Sequence, residues 1–110
     1  MATVSESAFS IAANAKSTDR LSGSALLTSP GGTAQLACKA SATGLNVSLF
    51  AGGELIVDDQ PIPFTGTAGT IAFLDNLVES FESSPGERLQ LFFRNTTGGA
   101  ITVDYILKVQ

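Results

Sequence analysis

The stretch Ile101-Thr102-Val103-Asp104-Tyr105-Ile106-Leu107-Lys108-Val109 decides the fold. Ile101, Val103, Tyr105, Leu107 and Val109 recur at every second position, with Thr102, Asp104, Ile106 and Lys108 between them. Successive side chains of a strand point to opposite faces, so this period sets one apolar row inward and predicts a long, half-buried β-strand. Just upstream, in Glu87-Arg88-Leu89-Gln90-Leu91-Phe92-Phe93-Arg94, the residues Leu89, Leu91 and Phe93 alternate with Arg88, Gln90 and Arg94, and only Phe92 breaks the pattern. The intervening Asn95-Thr96-Thr97-Gly98-Gly99 reads as the tip of a hairpin joining the two strands, its paired glycines supplying positive φ.

Further toward the N-terminus, Leu45, Val47 and Leu49 alternate with Asn46 and Ser48, and Gly52-Gly53 leads into Glu54-Leu55-Ile56-Val57-Asp58. This predicts a second hairpin. Before it, Ala34, Leu36, Cys38 and Ala40 alternate with Gln35, Lys39 and Ser41. That strand's small side chains mark either a close approach of another layer or an edge. Weaker strands are expected at 7–12, 21–28, 62–64 and 70–74. The spacing of Leu74, Leu77, Val78 and Phe81 fits one short helix near 74–82, capped by Asp75 and ended by Ser83-Ser84-Pro85-Gly86; a strand through 78–82 is the alternative. Pro85-Gly86 makes a turn in either case, and a type II turn demands glycine at position 86.

Six to eight short strands with Gly, Pro and Asn turns and at most one short helix predict an all-β protein, an antiparallel two-sheet β-sandwich. A jelly roll is favoured, because the irregular link over 60–69 suits a crossing between sheets. An immunoglobulin-like sandwich is the competitor, although its buried Trp and cysteine pair are missing. Residues 1–30 are rich in Ser and Ala, with few large apolar anchors. They read as an extended arm docking on a neighbour through Phe9 and Ile11, or as an ordinary edge strand, ahead of a sandwich domain over 31–110.

Composition limits the chemistry. The 110 residues are 44% hydrophobic and 15% charged, which fits one domain able to build a core without staples. Histidine is absent, which removes the commonest general base near neutral pH and makes a triad hydrolase untenable. The single cysteine, Cys38, allows neither an intrachain disulfide nor a thiolate zinc cluster, and on an apolar strand it reads as a small buried hydrophobe. Ten acidic against six basic residues give a net charge of -4, a poor match to a phosphate backbone, so no direct nucleic-acid contact is expected. No apolar run approaches the about 18 to 20 residues that span a bilayer, so a soluble chain without a transmembrane segment is expected. The first residues lack both a basic start and an apolar block, so the expectation is synthesis in the cytoplasm without a signal peptide. The sequons at Asn46-Val47-Ser48 and Asn95-Thr96-Thr97 are accordingly read as chance.

Asp58-Asp59, with Glu54 at the other end of the same strand, is the one dense carboxylate group. Adjacent strand residues diverge, so the two aspartates converge only where the strand ends in a loop, and solvated charges are the better reading than a calcium site. Glycoside hydrolysis needs paired carboxylates beside an aromatic sugar cleft. The chain has no Trp and one Tyr, and Phe73, Phe81 and Phe93 sit among apolar neighbours as core residues do. The pairs Gly31-Gly32, Gly52-Gly53 and Gly98-Gly99 lack phosphate-loop spacing. No catalytic residue, metal ligand, cofactor or small-molecule substrate is therefore expected, and the chain is not read as an enzyme.

What points outward is apolar. Phe50, Phe92 and Ile106 fall on the face opposite the alternating core rows, and a second apolar face commonly marks a subunit contact. With Phe9, Ile11 and Phe64 they form the candidate contact set. Low charge and abundant Ser, Thr, Ala and Gly also suit flat contacts between identical sandwiches.

The segments Val47-Ser48-Leu49-Phe50-Ala51-Gly52-Gly53-Glu54, Pro85-Gly86-Glu87-Arg88-Leu89-Gln90-Leu91-Phe92-Phe93-Arg94-Asn95 and Ala100-Ile101-Thr102-Val103-Asp104-Tyr105 resemble, in strand and turn pattern, the small single jelly-roll coat or vertex (penton) proteins of icosahedral bacteriophages. The resemblance implies a structural virion protein, a capsid subunit forming a homo-oligomer and meeting other capsid subunits. It also implies basic residues facing a genome, and their scarcity here favours a vertex or outer-shell position. The alternative is an immunoglobulin-like or lectin-like binding module that recognises sugar or protein through loops such as 60–69 and 95–99.

Overall fold

Period-two patterning becomes seven β-strands in a computed structural model that describes residues 2–24, 26–67, 69 and 71–110. They are β1 (Ala2–Ile11), β2 (Gly32–Ala40), β3 (Leu45–Ala51), β4 (Glu54–Pro61), β5 (Leu77–Ser83), β6 (Leu89–Asn95) and β7 (Ile101–Val109). All pairings are antiparallel, in a four-stranded sheet A of order β1-β7-β2-β5 and a three-stranded sheet B of order β4-β3-β6. The chain is an all-β, two-sheet β-sandwich.

The alternating rows meet between the sheets. Leu36 and Cys38 of β2 and Val103, Tyr105 and Leu107 of β7 face Leu45, Val47 and Leu49 of β3 and Leu89, Leu91 and Phe93 of β6, all essentially without solvent exposure. Each fully buried Leu or Phe contributes about 1.5 to 3 kcal/mol by leaving water. The Phe93 and Tyr105 rings meet across the layers at 5.4 Å between centroids. Burial pushes the Cys38 thiol well above its ordinary pKa, so it stays protonated and acts as packing.

The expected hairpin of β6 and β7 does not form: β6 belongs to sheet B and β7 to sheet A. Each strand has one apolar row, and placing the rows face to face across the core buries both more fully than lying side by side. The link over 96–100 therefore crosses between the sheets, organised by Asn95. Its buried amide donates to the Ile11 carbonyl at 3.1 Å and the Gly99 carbonyl at 2.7 Å, while its carbonyl oxygen accepts from the Thr97 backbone N–H at 2.9 Å. Positive φ is instead found at Gly52 and Gly53, in the β3–β4 hairpin that the sequence predicts.

The helix alternative for 74–82 is also set aside, since no helix occurs among the described residues. One turn forms at 73–76, closed by reciprocal bonds in which the Asn76 N–H donates to the Ala72 carbonyl and the Ala72 N–H to Asn76 Oδ1, both at 2.9 Å. From Leu77 the backbone extends to pair with β2, which supplies hydrogen bonds that a two-turn helix beside Pro85 would lack. At the next corner, Gly86 has φ +81° and the Glu87 N–H donates to the Ser84 carbonyl at 3.1 Å, as a type II turn through Pro85-Gly86 requires.

The first thirty residues join the sandwich. β1 is an edge strand of sheet A, with a bulge between Glu6 and Phe9. Residues 12–31 form no named strand but run beside the open edge of β6. The Ser17 N–H donates to the Phe93 carbonyl at 2.7 Å, the Arg20 N–H to the Leu91 carbonyl at 2.8 Å, and the Leu89 N–H to the Leu27 carbonyl at 3.0 Å. The side chains of Asp19 and Ser17 accept the N–H groups of Leu91 and Phe93. Leu21 and Leu26 are fully buried, so this segment closes one side of the core. Of the other weak strands, 62–64 and 70–74 fall in the link between β4 and β5, where Thr70 lies outside the described residues.

Candidate functional site

The outer face of sheet B carries the side chains that alternate away from the core: Asn46, Ser48 and Phe50 on β3, and Gln90, Phe92 and Arg94 on β6. Phe92 pairs with Ser48 and Phe50 with Gln90, so the two phenylalanines are diagonal neighbours on one face, and their rings meet edge to face at 6.0 Å. Phe92 therefore breaks the alternation because its partner is a second outward aromatic. The Lys16 ammonium lies 4.7 Å from the centroid of the Phe92 ring.

β4 completes the site by irregularity. Its pairing with β3 shifts register twice, and Asp59 has φ +45° with its N–H donating to Ser48 Oγ at 3.0 Å. This left-handed residue turns Asp59 toward Arg94, whose Nε donates to Oδ1 at 3.0 Å while Nη2 reaches Oδ2. The Arg94 hydrogen bond holds the Asp59 carboxyl below its ordinary pKa. Asp58 and Asp59 thus both line the same cleft, which the sequence reading allowed only at a strand end; a bulge within β4 does it instead. Leu55, 42% exposed, forms the cleft's apolar rim.

The cleft has a volume of about 260 Å³, below the usual range of roughly 300 to 1,000 Å³ for a small-molecule pocket. It combines an aromatic floor with two cations and two carboxylates, and so suits one or two side chains of a protein partner better than an organic cofactor. Among the described residues, no group of three or more His, Cys, Asp or Glu is arranged to hold a metal ion, and no helix is long and apolar enough to cross a membrane.

Of the contact candidates, Phe50 and Phe92 are brought together, and the others lie apart. Ile11 is 3% exposed in the core of its own sandwich, so it anchors β1 internally and offers no surface to a neighbour. Phe9 is half-buried beneath the Arg20 guanidinium, 3.9 Å from its ring centroid, and Arg20 in turn pairs with Glu6 at 2.8 Å. Phe64 is half-buried in the link over 62–76, where its carbonyl accepts the Ala40 N–H at 3.0 Å. Ile106 is half-buried on the outer face of sheet A. Phe73, expected in the core, lies outside sheet A with its ring 4.1 Å from the Lys108 ammonium.

Two features went unread in the sequence and a third was misread. Leu55 had a signal, because Leu55-Ile56-Val57 is a run in which not every side chain can face inward. Lys16 had none, since the contact joins an irregular segment to a strand 76 positions away. Leu74 was read as part of an apolar helix face, yet it is 77% exposed at the tip of the turn at 73–76. Neither a comparison with protein-family models nor one with curated proteins gives a match.

Proposed function

We propose that this chain is a non-enzymatic structural subunit of a virion, a small capsid or vertex protein that assembles through contacts between β-sandwiches. One observation carries the reading: the outer face of sheet B keeps Phe50, Phe92 and Leu55 together, the two rings half-buried and Leu55 exposed, with Lys16 as the side chain from the 12–31 segment that lies over Phe92. A two-layer sandwich needs to bury only its inner faces, so this apolar outer patch has its use in contact with another subunit.

The strand order supports the jelly-roll form of the proposal. β7 lies between β1 and β2 in one sheet, whereas the closing strand of an immunoglobulin-like sandwich belongs to the sheet opposite its first strand. If the stretch over 16–28 beside β6 is counted as an unformed strand, both sheets have four positions, as eight strands in two sheets require. Sedimentation and light scattering of the purified chain test the proposal. A discrete closed or cyclic species supports it, and a monomer at all accessible concentrations refutes it.

The alternative binding module draws on the same cleft, where paired charges flank two aromatic rings. Its signature is a stable monomer with saturable affinity for a glycan or peptide, lost on Phe92→Ser.

A further inference from the structure

Two apolar features of this chain cannot satisfy each other within one molecule. The cleft of Phe50, Leu55 and Phe92 opens on sheet B. Leu74 projects from the turn on the sheet A side, where the neighbouring Phe73 ring packs against Lys108 of β7. Single exposed leucines are ordinary on protein surfaces. This one differs in standing on a held backbone: the reciprocal Ala72–Asn76 bonds close its turn, and the Cys38 N–H donates to the Asn76 carbonyl at 3.1 Å, tying the turn to β2. A turn whose backbone is already closed loses little backbone entropy when it docks.

We infer that Leu74 of one copy seats in the Phe50–Leu55–Phe92 cleft of the next, with Asp75 meeting Lys16 at the rim. The inference rests on the assembly reading above and names the contact through which assembly occurs. The occupant is a second copy because the charges match in place: Asp75, exposed beside Leu74, carries the sign that Lys16 attracts on the cleft wall. Arg94 is engaged by Asp59, so the charges left at the cleft are Lys16, held over the Phe92 ring, and Asp58, and the Asp75 carboxylate is placed at Lys16. Knob and cleft are different surfaces, so the contact is heterologous. It repeats from copy to copy and closes into a ring where the rotation permits.

The test is a mixing experiment with two variants changed at exposed leucines, Leu74→Asp without the knob and Leu55→Asp with a blocked cleft. Circular dichroism and thermal melting first establish that both fold like the wild type. Each variant alone is expected to sediment as a monomer. Their mixture is expected to form a 1:1 complex, because the intact knob of Leu55→Asp fits the intact cleft of Leu74→Asp and neither can propagate further. Lys16→Glu and Asp75→Lys are each expected to weaken association about tenfold at low salt and to restore it when combined in one chain. The inference is overturned if Leu74→Asp assembles as the wild type does, or if the two monomeric variants ignore each other; the assembly reading survives either result. A wild type that stays monomeric at every concentration defeats the assembly reading itself.

Discussion

The two outer faces of the sandwich are finished in opposite ways. On sheet A the chain covers itself. Asp104 of β7 points outward and would be solvated in a bare sheet, yet it is 1% exposed. Its carboxylate accepts the N–H of Ala8, in the β1 bulge, and the N–H of Gly69, in the β4–β5 link, each at 2.6 Å, with the Ser7 hydroxyl at 3.4 Å. Ala37, on the same outer side of β2, is likewise fully buried. On sheet B nothing comparable crosses the face; two aromatic rings there are half-buried and Leu55 is exposed. The face closed by its own links needs no further cover, and the partly apolar face is where the proposed contact with another subunit falls.

The largest effect in this contrast should come from Asp104→Ala. It strands two backbone N–H groups that now bond a buried carboxylate and unties the link from the sheet. A loss of about 3 kcal/mol follows, lowering the melting temperature by upwards of roughly 10 °C, with faster hydrogen exchange confined to the link over 62–76 and the β1 bulge. Asn76→Ala, which opens the turn that holds Leu74, should cost about 1 to 2 kcal/mol in urea denaturation. Phe92→Ser on the open face removes the edge-to-face contact with Phe50 and only partly buried area, so monomer stability falls by about 1 kcal/mol while self-association is lost. Comparable destabilisation by Phe92→Ser and Asp104→Ala would erase the distinction between the faces.

Two smaller effects depend on pH. The Tyr105 hydroxyl is buried and makes no well-formed hydrogen bond, and burial first, then the charge of Glu6, raises its pKa above the ordinary tyrosine value. The folded state therefore holds this proton more tightly than the unfolded chain. Stability is complete below about pH 10 and declines as pH rises beyond it, and Tyr105→Phe should flatten that alkaline decline in melts recorded from pH 8 to 11. Asp59 behaves in the reverse sense. Its lowered pKa contributes stability above the ordinary aspartate value that is lost as pH falls below about 4. The pair is solvent-screened, so Asp59→Asn should lower the stability measured by urea denaturation by no more than about 0.5 kcal/mol.

How much of this was legible in advance differs by element. β7, β6, β3 and the β3–β4 hairpin follow from period-two rows and from Gly52-Gly53, because local patterning is strong wherever one face is buried. The pairing of Phe50 with Phe92 was half legible: both stood out as outward aromatics, and only the register of β3 with β6 set them side by side. The burial of Asp104 was not legible in the row opposite the apolar one, and Leu74 was misread as part of an apolar helix face, because what surrounds each is supplied by chain far away or by a turn that ends where a helix was expected. Removing residues 1–23 would delete β1 and two core residues, Ile11 and Leu21, and so would report on folding rather than on an arm.

By itself, then, the order of apolar and polar residues determined that the chain forms strands and which side of most strands turns inward, since burial acts on each residue according to its parity along the strand. Beyond the β3–β4 hairpin, which strands lie beside one another was decided only in three dimensions. So was the closure of sheet A and the opening of sheet B, because a link can cover one face or the other without any change in the local pattern, and only long-range bonds such as those of Asp104 and Asn95 choose between them.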